Sequence, residues 1–188
     1  MHNPPHHHPF DMRGAVNLLY VLVSGHATCV TPFVRRNFGR EALGRNGAVA
    51  FVILFFYMAA YPRHFVVQQF TFWWFVMFIL QRLKTMYLVS RGLSPHSRYD
   101  GYPYLGYLLP FVKDPKGASI IEFLALLGGG MWLSTVDAPL GKLIIVSSVC
   151  LVVKNAIDED IVRRRLQSMR DAEIEQRVLL DRYRRGDF

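Results

Sequence analysis

Two uncharged runs separated by a single arginine constrain this chain more than any other feature. They extend from Asn46 to Pro62 and from His64 to Gln81, with Arg63 between them. Each run holds about 17 residues, close to the roughly 17 to 25 apolar residues that a helix needs to cross a bilayer. The runs therefore predict a transmembrane hairpin that turns at Pro62, because proline cannot continue a helix.

The rest of the apolar content is also arranged in blocks. Hydrophobic residues make up 52% of the 188 residues, and long blocks lack the 3.6-residue or 2-residue period of a half-buried helix or strand. We therefore predict an all-α, polytopic helical membrane protein with about five spans. The alternative is four spans plus a re-entrant or retained signal-like first segment. The expected spans cover residues 14–34, 47–61, 64–81, 118–136 and 139–154.

The basic residues predict the orientation. Segment 35–45 carries four arginines against one glutamate, and segment 82–116 carries six Lys and Arg residues against two aspartates. Lys and Arg accumulate in the cytoplasmic loops of membrane proteins. We expect both segments in the cytoplasm of a cell-membrane protein, the 1–13 lead outside and the C-terminus inside. The formal net charge of +8 then needs no nucleic-acid partner, since no recognition motif accompanies it.

The predicted cytoplasmic loop 91–117 is unusual in composition. It contains four prolines and four glycines, so a helix cannot persist through it. Its tyrosines and leucines suit the headgroup region of a bilayer. We predict an ordered loop folded back on the membrane interface, with segment 96–104 as the best candidate for a functional surface because ordered loops often carry function.

Three polar side chains within the predicted spans are candidates for an interaction or a path. Glu122 lies near the cytoplasmic end of the fourth span, and Gln68 and Gln69 lie near the outer end of the third. One interpretation is that they line a route for ions. The other is that Glu122 sits at headgroup depth and pairs with a loop arginine, while the amides bond between helices.

The last segment, 156–188, predicts a long amphipathic helix. Asn155 is a candidate N-cap, acidic residues follow at 158–160, and arginines occupy the last turn, as the helix dipole favours. At 100° per residue one apolar face covers an arc of about 140°. Its residues are Ile161, Val162, Leu166, Met169, Ala172, Leu179, Leu180 and Tyr183. We expect this face to bind another copy of the chain or another membrane subunit.

These features favour a structural or accessory subunit of a membrane assembly, held through 156–188 and 91–117. Two alternatives remain open: a channel, transporter component or membrane-disrupting effector using Glu122 and the two glutamines, and an interface enzyme. The residues expected to serve the enzyme are His96, Arg98, Tyr99 and Asp100. The chain has no recognisable catalytic motif, so we predict no enzyme, no cofactor and no metal.

Overall fold

A computed structural model describes residues 12–38, 44–93, 101–108, 112 and 114–186. In these ranges the chain is helical apart from one pair of two-residue strands, so the predicted all-α class is confirmed. The elements are α1 (Met12–Thr28), α2 (Thr31–Val34), β1 (Arg35–Arg36), α3 (Arg45–Ala60), α4 (Phe65–Ser90), β2 (Tyr102–Pro103), the 3₁₀ turn Gly106–Leu108, α5 (Pro115–Val136) and α6 (Ala138–Arg185). The chain forms two compact units that divide between Val152 and Val153.

The first helix is shorter than the predicted span 14–34. It ends at Thr28, and α2 begins only at Thr31. Pro32 explains the break, because its ring lacks an N–H and clashes with the carbonyl four residues earlier, which belongs to Thr28. The Thr28 carbonyl instead accepts a hydrogen bond from Nε1 of Trp74 at 3.0 Å. An indole on α4 thus replaces the missing backbone donor.

The hairpin of α3 and α4 packs closely at its open end. A Cβ added to Gly47 would lie 2.4 Å from the Phe78 ring, so a side chain at this position would displace that ring. Phe78 stacks on Trp74 with ring centroids 5.1 Å apart. Trp74 is fully buried, but its neighbours Trp73 and Phe75 are exposed, so of these three adjacent aromatic side chains Trp74 alone packs in the core.

The end of α4 has a clear local cause. Gly92 adopts a positive φ of 72°, the Leu93 N–H bonds the Leu88 carbonyl and the Gly92 N–H bonds the Val89 carbonyl. This is a Schellman motif, in which a left-handed residue terminates a helix. Helix α4 thus extends nine residues beyond the predicted span 64–81, to Ser90.

Helix α6 corrects the predicted boundary at Asn155. The helix runs from Ala138 to Arg185 without interruption, so Asn155 lies inside it and caps nothing. No proline or glycine occurs between Gly141 and Gly186, and an interior asparagine costs a helix only a few tenths of a kcal/mol more than an average residue. The fifth predicted span and the amphipathic segment are parts of one helix.

The unit that ends at Val152 buries polar as well as apolar side chains, and it exposes many large apolar ones. Its buried side chains include Ser24, Arg35, Thr85, Glu122 and Ser147. The exposed ones include many large apolar residues: Phe51, Phe55, Phe56, Phe65, Phe72, Trp73, Ile120, Leu124, Met131 and Trp132. Buried charged side chains together with so much exposed apolar surface are not what water favours in a folded chain.

Two helices in the described ranges, α5 and α6, are long and apolar enough to cross a membrane. Helix α3 is apolar but has only 16 residues. Only 11% of the most apolar stretch of α5 is buried, whereas the core helix of a water-soluble protein is mostly buried. Length, composition and exposure together indicate membrane association.

Candidate functional site

A buried ion pair joins strand β1 to helix α5. Arg35 donates from Nε to both carboxylate oxygens of Glu122, at 3.0 Å and 3.2 Å, and from Nη2 to Oε2 at 2.8 Å. The two side chains are 5% and 0% exposed. Such a two-point contact fixes both groups, because a planar guanidinium matches a carboxylate in geometry and charge.

The strand geometry of β1 explains why only one of two adjacent arginines is buried. Successive side chains of a strand point to opposite faces, so Arg35 points inward and Arg36 outward. Strand β1 pairs antiparallel with β2, with Arg35 opposite Pro103. The Tyr104 N–H also bonds the Val34 carbonyl at 3.2 Å. The described end of the predicted cytoplasmic loop therefore lies against Arg35.

Helix α4 holds the same segment from the other side. Gln81 donates from Nε2 to the Arg35 carbonyl at 3.2 Å, and Thr85 donates from Oγ1 to the Phe38 carbonyl at 3.3 Å. Phe38 is 2% exposed. We call this region, formed by 35–38, 44–47, 81–93, 101–108 and 114–122, the basic end of the first unit.

A glycine in the loop allows its close approach to α5. A Cβ on Gly106 would lie 2.3 Å from the Ala118 carbonyl oxygen and 2.4 Å from its Cα. Neither backbone atom can move without displacing the helix. The Gly106 turn therefore rests directly on the first turns of α5, one turn before Glu122.

The pairing of Glu122 bears on the interpretation that it lines an ion path. The Glu122 carboxylate is fully buried and is bonded to the Arg35 guanidinium. This agrees with the other interpretation, in which Glu122 pairs with a loop arginine. Opening a path through it would leave a charged Arg35 buried, at a cost of several kcal/mol. Its geometry suits it to holding helices together.

The two glutamines lie far from Glu122. Gln68 is half-buried and donates to the Pro62 carbonyl at 2.8 Å, and Gln69 is exposed. Gln81, which contacts Arg35, is 13 residues further along α4, or about 20 Å at 1.5 Å per residue. The three predicted path residues are therefore not brought together.

A second polar cluster, which the sequence did not indicate, lies at the opposite end of the first unit. His64 Nδ1 is 2.9 Å from Asp137 Oδ2, and Asp137 Oδ1 accepts the Leu140 N–H at 3.0 Å. The Tyr57 hydroxyl donates to the Pro139 carbonyl. We call this the polar end. Asp137 caps the N-terminus of α6 there. The sequence signal for this cap was an aspartate just before a helix that has proline in its first turn.

The environment of Asp137 favours its charged form. Burial acts to raise the pKa of this carboxyl, but the hydrogen bond from Leu140 and the hydrogen bond and charge of His64 outweigh it and hold the pKa below 3.8. His64 is 41% exposed and Asp137 7%. The polar end thus joins the ends of α3, α4, α5 and α6.

The remaining predicted site residues fall into two groups. His96, Arg98, Tyr99 and Asp100 lie outside the described residues. Leu166, Met169 and Leu180 lie on α6, where they are 54%, 69% and 57% exposed. Within the described ranges no three His, Cys, Asp or Glu side chains are arranged to hold a metal ion.

Comparison with known proteins identified no relative of this chain. No protein-family model, no curated protein and no solved structure matches the chain.

Proposed function

We propose that this chain is a multi-pass membrane protein that serves as a structural or accessory subunit, with α6 as its attachment helix. The observation that carries the proposal is the exposed apolar surface and buried ion pair of the first unit, together with the exposed apolar face of the second. In lipid, exposed Phe, Leu and Trp side chains are favourable, whereas charged side chains face the protein interior and pair with one another.

The proposed topology has five spans: α1, α3, α4, α5 and the first part of α6. Contacts at the two ends support it. The basic end contains the beginnings of α3 and α5 and the C-terminal part of α4, and the polar end contains the end of α3, the start of α4 and the junction of α5 with α6. A chain that crosses alternately arranges its helix ends in this way, and the positive-inside rule then assigns the basic end to the cytoplasm.

The attachment surface is the apolar face of the second unit. Every residue from Glu159 to Arg185 is exposed, and Val162, Met169 and Tyr183 are 53%, 69% and 70% exposed. On the polar surface of α6, three ion pairs join residues that are four positions apart, so these charges are paired within the helix. They are Glu159 with Arg163, Asp160 with Arg164, and Glu173 with Arg177. We propose a helix of another subunit, from a second copy or from a different membrane protein, as the partner of the apolar face.

Two double variants test the attachment, and each of them replaces two apolar residues of α6 by serine. Leu166→Ser with Leu180→Ser alters the apolar face, and Ile174→Ser with Val178→Ser alters the nearly opposite side of the same helix. We expect the first variant to lose its co-purifying chains, or its self-association, after mild detergent extraction. The second should retain them. Equal behaviour of the two variants would contradict an attachment through this face.

The topology is tested by labelling single cysteines with a membrane-impermeant maleimide. Arg63→Cys and Arg36→Cys are placed in a background in which Cys29 and Cys150 are replaced by alanine. In intact cells we expect the label to reach position 63, and to reach position 36 only after permeabilisation. Labelling of both positions from one side would rule out the five-span arrangement.

A further inference from the structure

Two arginines of the basic end lie on tyrosine rings. The Arg36 guanidinium carbon is 3.9 Å from the centre of the Tyr104 ring, and that of Arg91 is 4.7 Å from the centre of the Tyr87 ring. All four side chains are exposed. A ring contact stabilises a guanidinium through its face but satisfies none of its N–H donors. Both arginines therefore present hydrogen-bond donors that an anion can accept.

The two pairs belong to one end of the molecule. Arg36 lies beside Phe38, whose carbonyl bonds Thr85 on α4. Arg91 follows Thr85 by six residues, or about 9 Å along the helix axis. Bound anions at the two positions would therefore lie at the same end of the first unit, separated by about 9 Å along the axis of α4.

The surroundings of the two pairs are positively charged. Among described residues of the basic end, the ion pair of Arg35 with Glu122 cancels, and Asp114 is the remaining carboxylate against six cations. These cations are Arg36, Arg45, Arg82, Lys84, Arg91 and Lys116. The described part of the polar end has Arg63 and Lys142 with Asp137. The electrostatic attraction for anions is thus concentrated at the basic end.

Apolar side chains continue from both pairs along the surface. Leu83 and Met86 on α4 are 56% and 61% exposed, and Leu93 and Leu108 are 66% and 58% exposed. A free phosphate ion would gain nothing from these residues, whereas the acyl chains of a lipid would cover them. The combination of arginine, tyrosine and exposed leucine is that expected at a headgroup boundary.

We propose that Arg36 with Tyr104 and Arg91 with Tyr87 form binding positions for the phosphate groups of anionic phospholipids. The proposal rests on the membrane insertion proposed above. In it, the guanidinium donates to the lipid phosphate, the tyrosine ring holds the guanidinium in place, and the acyl chains lie along α4. Neutral phospholipids share the phosphate but carry a compensating cation, so the net-positive basic end favours anionic lipids.

The test measures bound lipid by native mass spectrometry of the full chain in mild detergent. Phosphatidylglycerol and phosphatidylcholine with the same acyl chains are titrated against wild type, Arg36→Gln, Arg91→Gln and the double variant. We expect wild type to prefer phosphatidylglycerol. Each substitution should weaken the binding of that lipid about fivefold, since one basic residue near an anionic surface contributes on that order. Arg63→Gln, which removes the same charge at the polar end, should leave the preference unchanged.

Several outcomes would overturn the proposal. They are equal binding of both lipids by wild type, an unchanged preference in the double variant, and an equal loss in Arg63→Gln. Displacement of phosphatidylglycerol by millimolar inorganic phosphate would identify free phosphate as the ligand instead. Resistance of the reconstituted chain to alkaline extraction is measured in parallel. A chain that is extracted contradicts the proposed membrane function, whereas an inserted chain without lipid preference contradicts only this inference.

Discussion

The indole nitrogen of Trp74 lies 3.0 Å from the carbonyl oxygen of Thr28, a residue 46 positions earlier in the chain. Pro32 is the cause, because it deprives that carbonyl of its helical donor. One side chain of α4 therefore completes the backbone hydrogen bonding of α1, and it does so inside an apolar core.

Trp74→Phe should destabilise the fold by leaving the Thr28 carbonyl buried without a donor. We expect a loss of about 1–3 kcal/mol in the free energy of unfolding, the cost of an unsatisfied buried polar group. The measurement is an unfolding titration in mixed micelles. Trp73→Phe makes the same chemical change at a side chain that is 50% exposed, and it should cost far less. Comparable losses at positions 73 and 74 would show that the hydrogen bond contributes nothing.

Glu122→Gln should be strongly destabilising, because it removes the buried carboxylate charge that the Arg35 guanidinium contacts. Removing one partner of a buried ion pair costs about 3–5 kcal/mol. The same substitution at Glu173, in an exposed pair on α6, should cost less than about 0.5 kcal/mol. The double variant Arg35→Met with Glu122→Met should be more stable than Glu122→Gln, since no charge is left in the interior. A wild-type-like Glu122→Gln with altered ion flux in liposomes would instead favour a path.

Acid should weaken the polar end through Asp137. The folded-state pKa of this carboxyl lies below its ordinary value of 3.8, so its stabilising effect is present above that value and is lost as the pH falls through the lower folded pKa. His64→Ala removes one cause of the lowering, so the acid-induced loss should begin at a higher pH. Thermal unfolding measured between about pH 2.5 and pH 7 gives the pH at which each protein loses this stability. If wild type and His64→Ala lose stability at the same acid pH, His64 does not influence the titration of Asp137.

Gly106→Ala should separate the loop from α5, since its Cβ would lie 2.3 Å from the Ala118 carbonyl oxygen. We expect a loss of about 1–3 kcal/mol in the free energy of unfolding, as for other overpacked sites. Gly128→Ala is the matched control, because nothing lies within 4 Å of the added Cβ. That control should be neutral or slightly stabilising, as alanine favours helix over glycine. Limited proteolysis of the 91–117 segment offers a second measurement.

The sequence predicted the helices well where single residues terminate them. Proline at position 62 and glycine at position 92 lie at helix ends, as local chemistry requires. The break at Thr28 was missed because a 21-residue uncharged run was interpreted as one span, although Pro32 lay within it. The boundary at Asn155 was wrong because a good capping residue was present without any helix-breaking residue beside it.

The candidate site was predictable only in part. The sequence indicated that Glu122 needs a partner, but which of the loop arginines supplies it depends on contacts across 87 residues. The pairing of His64 with Asp137 is equally non-local, at 73 residues. Periodicity and capping rules act within a few turns of a helix, so they carry no information about such partners.

The separation of Arg35 from Glu122 has a consequence for biosynthesis. Arg35 leaves the ribosome 87 residues before its counter-charge, a delay of roughly 4 to 17 s at 5–20 residues per second. During that interval the guanidinium must stay in contact with water or headgroups, because the helix that neutralises it has not yet been made. Helix α5, made after α1, α3 and α4, is therefore the element that supplies this carboxylate and allows Arg35 to be buried.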